Sequence, residues 1–167
     1  MIYQRPLPDA PVDQGDVIDG CPLLIVGSFS EQTPSNVSGQ HAIGRVVVLT
    51  QTCDFANQKV TQAVVAMVHD AESLVASGRL KAAEVRGPLR AARVFGWYFL
   101  PKSQELGLGE MIVDFRQLHT VRLDLLTALC ASGRRVARIE PLYREHLSKH
   151  FADSYSRIGL PEPYETE

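Results

Sequence analysis

The chain has 167 residues, 45% of them apolar and 22% charged, with a net charge of −2. That length fits one domain with a full core, and near-neutrality argues against a global pull toward nucleic acid or an anionic membrane. Three scattered cysteines (Cys21, Cys53, Cys130) with no C-x-x-C pair argue against a disulfide framework and a local zinc signature. With no basic-then-apolar leader pattern and no apolar run near ~18–20 residues, they predict a cytoplasmic protein without a membrane partner.

Pro6, Pro8 and Pro11 make residues 1–15 an extended lead-in. Gly15-Asp16-Val17-Ile18 opens a first strand, Asp19-Gly20 suits a turn or bulge, and Pro22–Val26 is a second apolar segment. Residues 27–44 hold Gly, Ser, Asn, Pro and Gln without periodicity and read as a long loop of the functional or disordered kind. Arg45–Thr52 is the central strand: four apolar residues, three of them β-branched, run into Gln51-Thr52-Cys53-Asp54. Asp54–Lys59 reads as a connector to a second buried strand, Thr61–Val68. Pairing these two strands as an antiparallel hairpin brings His69-Asp70 beside Gly44-Arg45 and leaves Cys53 at the far end.

Residues 71–83 predict one or two short helices broken near Gly78. Phe95–Leu100 is an aromatic strand and Met111–Phe115 the next, with Leu118–Val121 continuing or bending it. Leu123–Ala131 is a helix stopped by Gly133, and Arg135–Ile139 a last short strand. A final helix starts at Glu140-Pro141, with Leu142, His146, Leu147, His150, Phe151, Ser154, Tyr155 and Ile158 on one face, and ends at Gly159-Leu160-Pro161. Strands and helices do not alternate as βαβ units do. The expected fold is therefore mainly β with peripheral helices (α+β), a small antiparallel barrel. Residues 1–167 form one domain on this reading: a barrel over 15–139 with a helical insertion at 71–93, a C-terminal helix at 140–160 and an acidic tail at 161–167.

Several residues carry possible chemistry. Arg45, His69 and Asp114 suffice for metal-free phosphodiester cleavage, with imidazole as the base and guanidinium on the pentavalent phosphate; the alternative is a polar rim. Asp70, Arg116 and His119 flank them, and strand alternation puts Asp114 and Arg116 on one face and Phe115 and Gln117 on the other. Cys53 is a candidate nucleophile with Gln51, Thr52 and Asp54 around it, but Asp54 would raise rather than depress a thiol pKa. In the alternative, Thr52 or Asp54 caps the connector turn. His146 and His150 share a helix face and read as hydrogen-bonded core histidines rather than metal ligands. Trp97, Tyr98 and Phe99 stack bases or alternate between core and helix cover. The bases Arg79, Lys81, Arg86, Arg90 and Arg93 meet a phosphate backbone or form a solvated helix face. No metal or other cofactor is expected.

The order Gly15-Asp16-Val17, Arg45–Thr50, Val64–Asp70 and Val113–Val121 resembles the PemK/MazF family of toxin ribonucleases over about residues 15–130. The resemblance implies a small SH3-like barrel, an RNA substrate cut without metal, an antitoxin or other protein partner, and a homodimer as a candidate state. Three positions depart from the family pattern: Val46 replaces a common Pro, His69-Asp70 replaces a Thr-Ser pair, and the Arg that often precedes the Asp-Gln step is absent. Gln51–Asp54 together with Tyr143–Leu147 and Gly159–Pro161 is similar to uncharacterised bacterial proteins of mobile or defence-associated regions. Three functions follow as expectations: a toxin-like endoribonuclease, a non-catalytic module recruiting protein or nucleic acid, and a Cys53-dependent hydrolase.

Overall fold

Apolar segments of four to six residues bounded by Gly, Pro and polar turns build an antiparallel sheet. A computed structural model describes residues 2–57 and 59–156. Its strands are β1 (Tyr3–Gln4), β2 (Asp16–Ser30), β3 (Thr33–Val48), β4 (Gln62–Asp70), β5 (Trp97–Leu100), β6 (Met111–Arg122) and β7 (Arg135–Ile139), in the spatial order β1-β7-β2-β3-β4-β6-β5. The helices are α1 (Thr52–Ala56), α2 (Ala71–Ala76), α3 (Ala82–Glu84), α4 (Leu123–Ala131) and α5 (Pro141–Tyr155), with a π-helical turn at Val85–Leu89. The α+β class expected from the sequence is present. The barrel is not closed by hydrogen bonding, because the edge strands β1 and β5 share no ladder. The sheet does curl far enough for Tyr3 of β1 to donate its hydroxyl to the Pro101 carbonyl, just past β5, at 2.8 Å.

The segment Arg45–Val48 pairs with Val68–Val65, as the hairpin expectation required. Its side chains split between two cores. Val47 joins Tyr98, Phe115, Ile139 and Leu147 on the α5 side. Val46 and Val48 join Ile18, Val65, Leu126 and Cys130 on the α4 side. A strand covered on both faces has no polar alternation, hence the unbroken valine run. A third cluster packs Leu74, Val85 and Leu89 against Trp97 and Ile112.

Four expectations are corrected. Residues 27–44 are not a loop: β2 and β3 continue as a two-stranded arm, in register from Cys21↔Gly44 to Val26↔Gly39 and shifted before Phe29↔Val37 and again before Ser30↔Thr33. The arm packs little of itself against the core, so its sequence lacks the in/out alternation that marks a half-buried strand. The Asp54–Lys59 connector is largely replaced by α1, and neither Thr52 nor Asp54 caps it by a side-chain bond. Leu142, His146 and Tyr155, assigned to the shared face of α5, are exposed. Finally, β6 does not alternate through residues 114–117: Met67 pairs with Asp114 while Ala66 pairs with Leu118, so three residues bulge out. Ile158, Gly159–Pro161 and the 161–167 tail lie outside the described residues. Among the described residues, no helix is long and apolar enough to cross a membrane.

Candidate active site

The β6 bulge builds the site. Bulges re-aim side chains that a regular strand would send to opposite faces. Here Phe115 enters the core while Asp114, Arg116 and Gln117 converge. Asp114 is buried, and its carboxylate accepts from Arg116 Nε at 2.9 Å, Arg116 Nη2 at 3.2 Å, the Arg116 amide at 3.0 Å and Gln117 Nε2 at 2.8 Å. Burial by itself raises the Asp114 carboxyl pKa, but the hydrogen bonds from Arg116 and Gln117 outweigh it and hold it below the usual carboxylate range.

His69, at the end of β4, pairs with Ile112 and places Nε2 4.0 Å from Asp114 Oδ2. Gln117 Nε2 lies 3.2 Å from the same ring nitrogen. An amide nitrogen donates, so this contact leaves Nε2 as acceptor and the ring proton on Nδ1. Burial first, and then the charge of Arg79, lower the His69 pKa below its ordinary 6.5. The imidazole is therefore neutral at pH 7.

Two guanidiniums complete the cluster. Arg116 lies over the Trp97 ring, 3.9 Å from its centroid. Arg79 Nη2 stands 3.7 Å from Asp114 Oδ2 and has no hydrogen bond among the described residues. It arrives because α2 stops at Ala76 and Gly78, at φ +71°, reverses the chain. Their side chains are 45% and 56% exposed for Arg79 and Arg116, so both keep donors open to a ligand.

His69 and Arg79 line a cleft of about 690 Å³, whose other walls include Asp19, Ile43, Arg45, Met67 and Arg134. Gly44 is part of its lining, and a Cβ there would stand 2.6 Å from Met67 Cε and displace that flexible side chain. Arg45 reaches this cleft but is committed elsewhere: it donates to both Asp19 oxygens and, at 3.2 Å, to Asp70. The Asp19 hydrogen bond raises its pKa further.

The structure thus unites His69, Asp114 and Arg116, places Arg45 and Asp70 on the cleft wall, and leaves His119 out. His119 pairs with Val65, five positions beyond Asp114 along β6 on the far side of the bulge, and makes no side-chain hydrogen bond among the described residues. Sequence reasoning missed Arg79 and Gln117. Arg79 was one base in a run of five, and that run is split rather than a single face, since Arg90 pairs with Glu110 and covers Phe99. Gln117 was assigned to the wrong face because the bulge leaves no mark in residue alternation.

Cys53 is exposed and lies in a second cleft of about 390 Å³ with Gln14, Gln51, Thr52, Glu145 and Ser148. Its Sγ contacts Gln51 Oε1 at 3.5 Å. Thr52 Oγ1 accepts from Arg144 at 3.3 Å, and Arg144 also binds Asp13 at 2.6 Å. Gln14 donates to the Leu49 carbonyl at 2.9 Å and to Ser148 at 2.7 Å. These bonds tie the lead-in and the Gln51–Asp54 segment to α5, and no histidine lines the cleft to serve as a base for Cys53. His150 is buried and lies 3.0 Å from the Trp97 carbonyl, as a core histidine should, whereas His146, expected in the core, is exposed and reaches Tyr98 Oη at 3.0 Å. Tyr98 enters the core while Trp97 packs under the helical insertion.

Comparison with protein-family models finds none that matches the chain, and comparison with curated proteins finds no match. Fold and site define an open antiparallel α+β sheet carrying a buried carboxylate, a neutral histidine and two partly exposed arginines at one end.

Proposed function

We propose that the chain is a metal-independent endoribonuclease, in the bacterial toxin–antitoxin or phage-defence setting that its PemK/MazF-like order of segments implies. The observation that carries this reading is the cluster itself: a neutral His69 between an ionised, buried Asp114 and the open guanidiniums of Arg79 and Arg116. A scissile phosphate in the cleft meets Arg79, which neutralises the charge that grows on the pentavalent phosphorus, while Arg116, outside the cleft lining, holds Asp114 in place. In the other neutral tautomer, with the ring proton moved by solvent from Nδ1 to Nε2, the ring closes on Asp114, displaces Gln117 and donates Nε2–H to the carboxylate. Nδ1 is then an acceptor and removes the proton of the 2′-hydroxyl. The 2′-oxygen forms its bond to phosphorus as the bond from phosphorus to the 5′-oxygen breaks, giving a cyclic phosphate; the 5′-oxygen takes a proton from water, and the hydroxide so formed takes the proton held on His69. Arg45 belongs to the wall that shapes the cleft rather than to the reacting groups.

The test is cleavage of a mixed-sequence RNA by the purified protein in EDTA. The wild type and Cys53→Ala cut, while His69→Ala loses on the order of 10²–10⁴ in rate. Folded protein that cuts nothing overturns the reading. It then leaves the non-catalytic recruitment module, which the exposed apolar face of the β2–β3 arm favours. Loss of cleavage in Cys53→Ala alone would move the chemistry to the second cleft, the Cys53 hydrolase reading.

A further inference from the structure

We infer that the β2–β3 arm is a dimerisation arm whose apolar face is covered by the same face of a second copy of this chain. Cross-strand partners point to one side of a sheet. The ladder therefore gathers Pro22/Ile43, Leu24/His41, Val26/Gly39 and Phe29/Val37 on one face, the register shift between Val26 and Phe29 being absorbed on β2. Leu24, Val26, Phe29, Val37 and Ile43 are between 50% and 78% exposed. The opposite face is less apolar: Leu23 is buried in the α4-side core, and further out Ile25, 42% exposed, pairs with Gln40, followed by Ser28 and Ser38, joined at 2.9 Å. The arm is amphipathic although only its base touches the rest of the molecule.

Charge selects the class of occupant. Between Asp19 and Arg45, Glu31 at the tip is the single Asp, Glu, Lys or Arg. Nucleic acid and anionic lipid both need cations that the arm lacks, and an acid at the tip opposes insertion into a bilayer. An apolar protein surface fits. Area and shape then select a second copy. The five exposed side chains present roughly 600 Å², at the upper end of what a monomer leaves uncovered. Two stacked arms bury about 1,200 Å², the size at which a specific interface begins. Under a two-fold axis across the arms, the bulky tip row Phe29/Val37 meets the base row Pro22/Ile43. The Leu24/His41 row meets the Val26/Gly39 row, where glycine leaves space. No like charges meet on the two faces. Ile43 also lines the catalytic cleft, so Phe29 of the partner subunit stands at its rim.

Light scattering of the full chain on a sizing column tests this without reference to cleavage. Wild type runs at twice the 18.4 kDa protomer mass. Leu24→Asp/Phe29→Asp halves the mass while keeping the wild-type circular dichroism, since both side chains are exposed. Ile25→Asp, on the opposite face, leaves the mass doubled. A wild type that stays monomeric up to roughly 100 µM overturns the proposal, including the case in which the arm binds only a foreign protein or vesicles. So does a double variant that remains dimeric.

Discussion

Asp16 and Asp114 are two buried carboxylates, each gripped by two arginines, and the molecule uses them in opposite ways. Asp16 accepts from Arg135 Nη1 at 3.0 Å, Arg138 Nε at 2.6 Å and Nη2 at 2.8 Å, and the Asp13 amide at 3.0 Å. Its arginines are turned inward: Arg135 also donates to the carbonyls of Leu7, Ala10 and Pro11, with only its buried Nε lacking an acceptor among the described residues, and Arg138 donates to Pro11. That hub pins the proline-rich lead-in onto β2 and β7. Asp114 holds arginines whose outer faces stay in solvent, and a histidine it does not yet touch. What separates a structural hub from a reactive one is whether the arginines face solvent, not the carboxylate.

The comparison is broken most sharply at the structural hub. Asp16→Ala strands the buried Arg135 charge and should cost about 3–5 kcal/mol, read as a fall in denaturant midpoint. If the variant is as stable as wild type, the lead-in is not held by this hub. Asp114→Asn keeps the volume but removes the charge, and should cost less, about 1–3 kcal/mol, because Arg116 can turn to water. Its effect on RNA cleavage should be the larger one, at least 10²-fold, since His69 loses the charged acceptor for its Nε2–H. The pH dependence follows from the depressed Asp114 pKa. The folded state favours the carboxylate, so that stabilisation is complete above the unfolded value of ~3.9 and is lost as pH falls through the lower folded value. Acid titration of wild type against Asp114→Asn should show the difference closing in that window.

The two hubs were also unequally legible in the sequence. Gly15-Asp16-Val17 and the valine run of Arg45–Val48 stand out because a strand buried on both faces must be apolar throughout. The strand pairing then put His69 beside Arg45 by counting residues. Asp114 was legible as a polar residue inside an apolar strand, with Arg116 on its face and His69 near it, but Gln117 and Arg79 were not. Gln117 depends on three bulged residues, Arg79 on a left-handed glycine after a short helix, and neither leaves a periodic trace. The arm failed for the opposite reason: it has a clear amphipathic face, but only between partners across a ladder, and Gly27, Gly39 and the register shift hide that face along either strand alone.

Arg79→Ala makes the smallest change and separates the two hubs most finely. Removing this cation leaves Asp114 its bonds from Arg116 and Gln117, so stability should move by no more than about 0.5 kcal/mol. The imidazole responds instead. Arg79 disfavours the charged ring, so its loss raises the His69 pKa toward 6.5. The sign is fixed: wild-type His69 stays neutral to a lower pH than the variant, and protonation of the depressed ring penalises the folded state only as pH falls below 6.5. Proton NMR titration of the His69 ring should show the upward shift, with His69→Ala identifying the resonance. The acid limb of the cleavage profile should move up with it, alongside a weaker hold on RNA. A ring pKa that does not respond would mean that Arg79 is screened from His69 and that the cluster, like Asp16, is a structural hub.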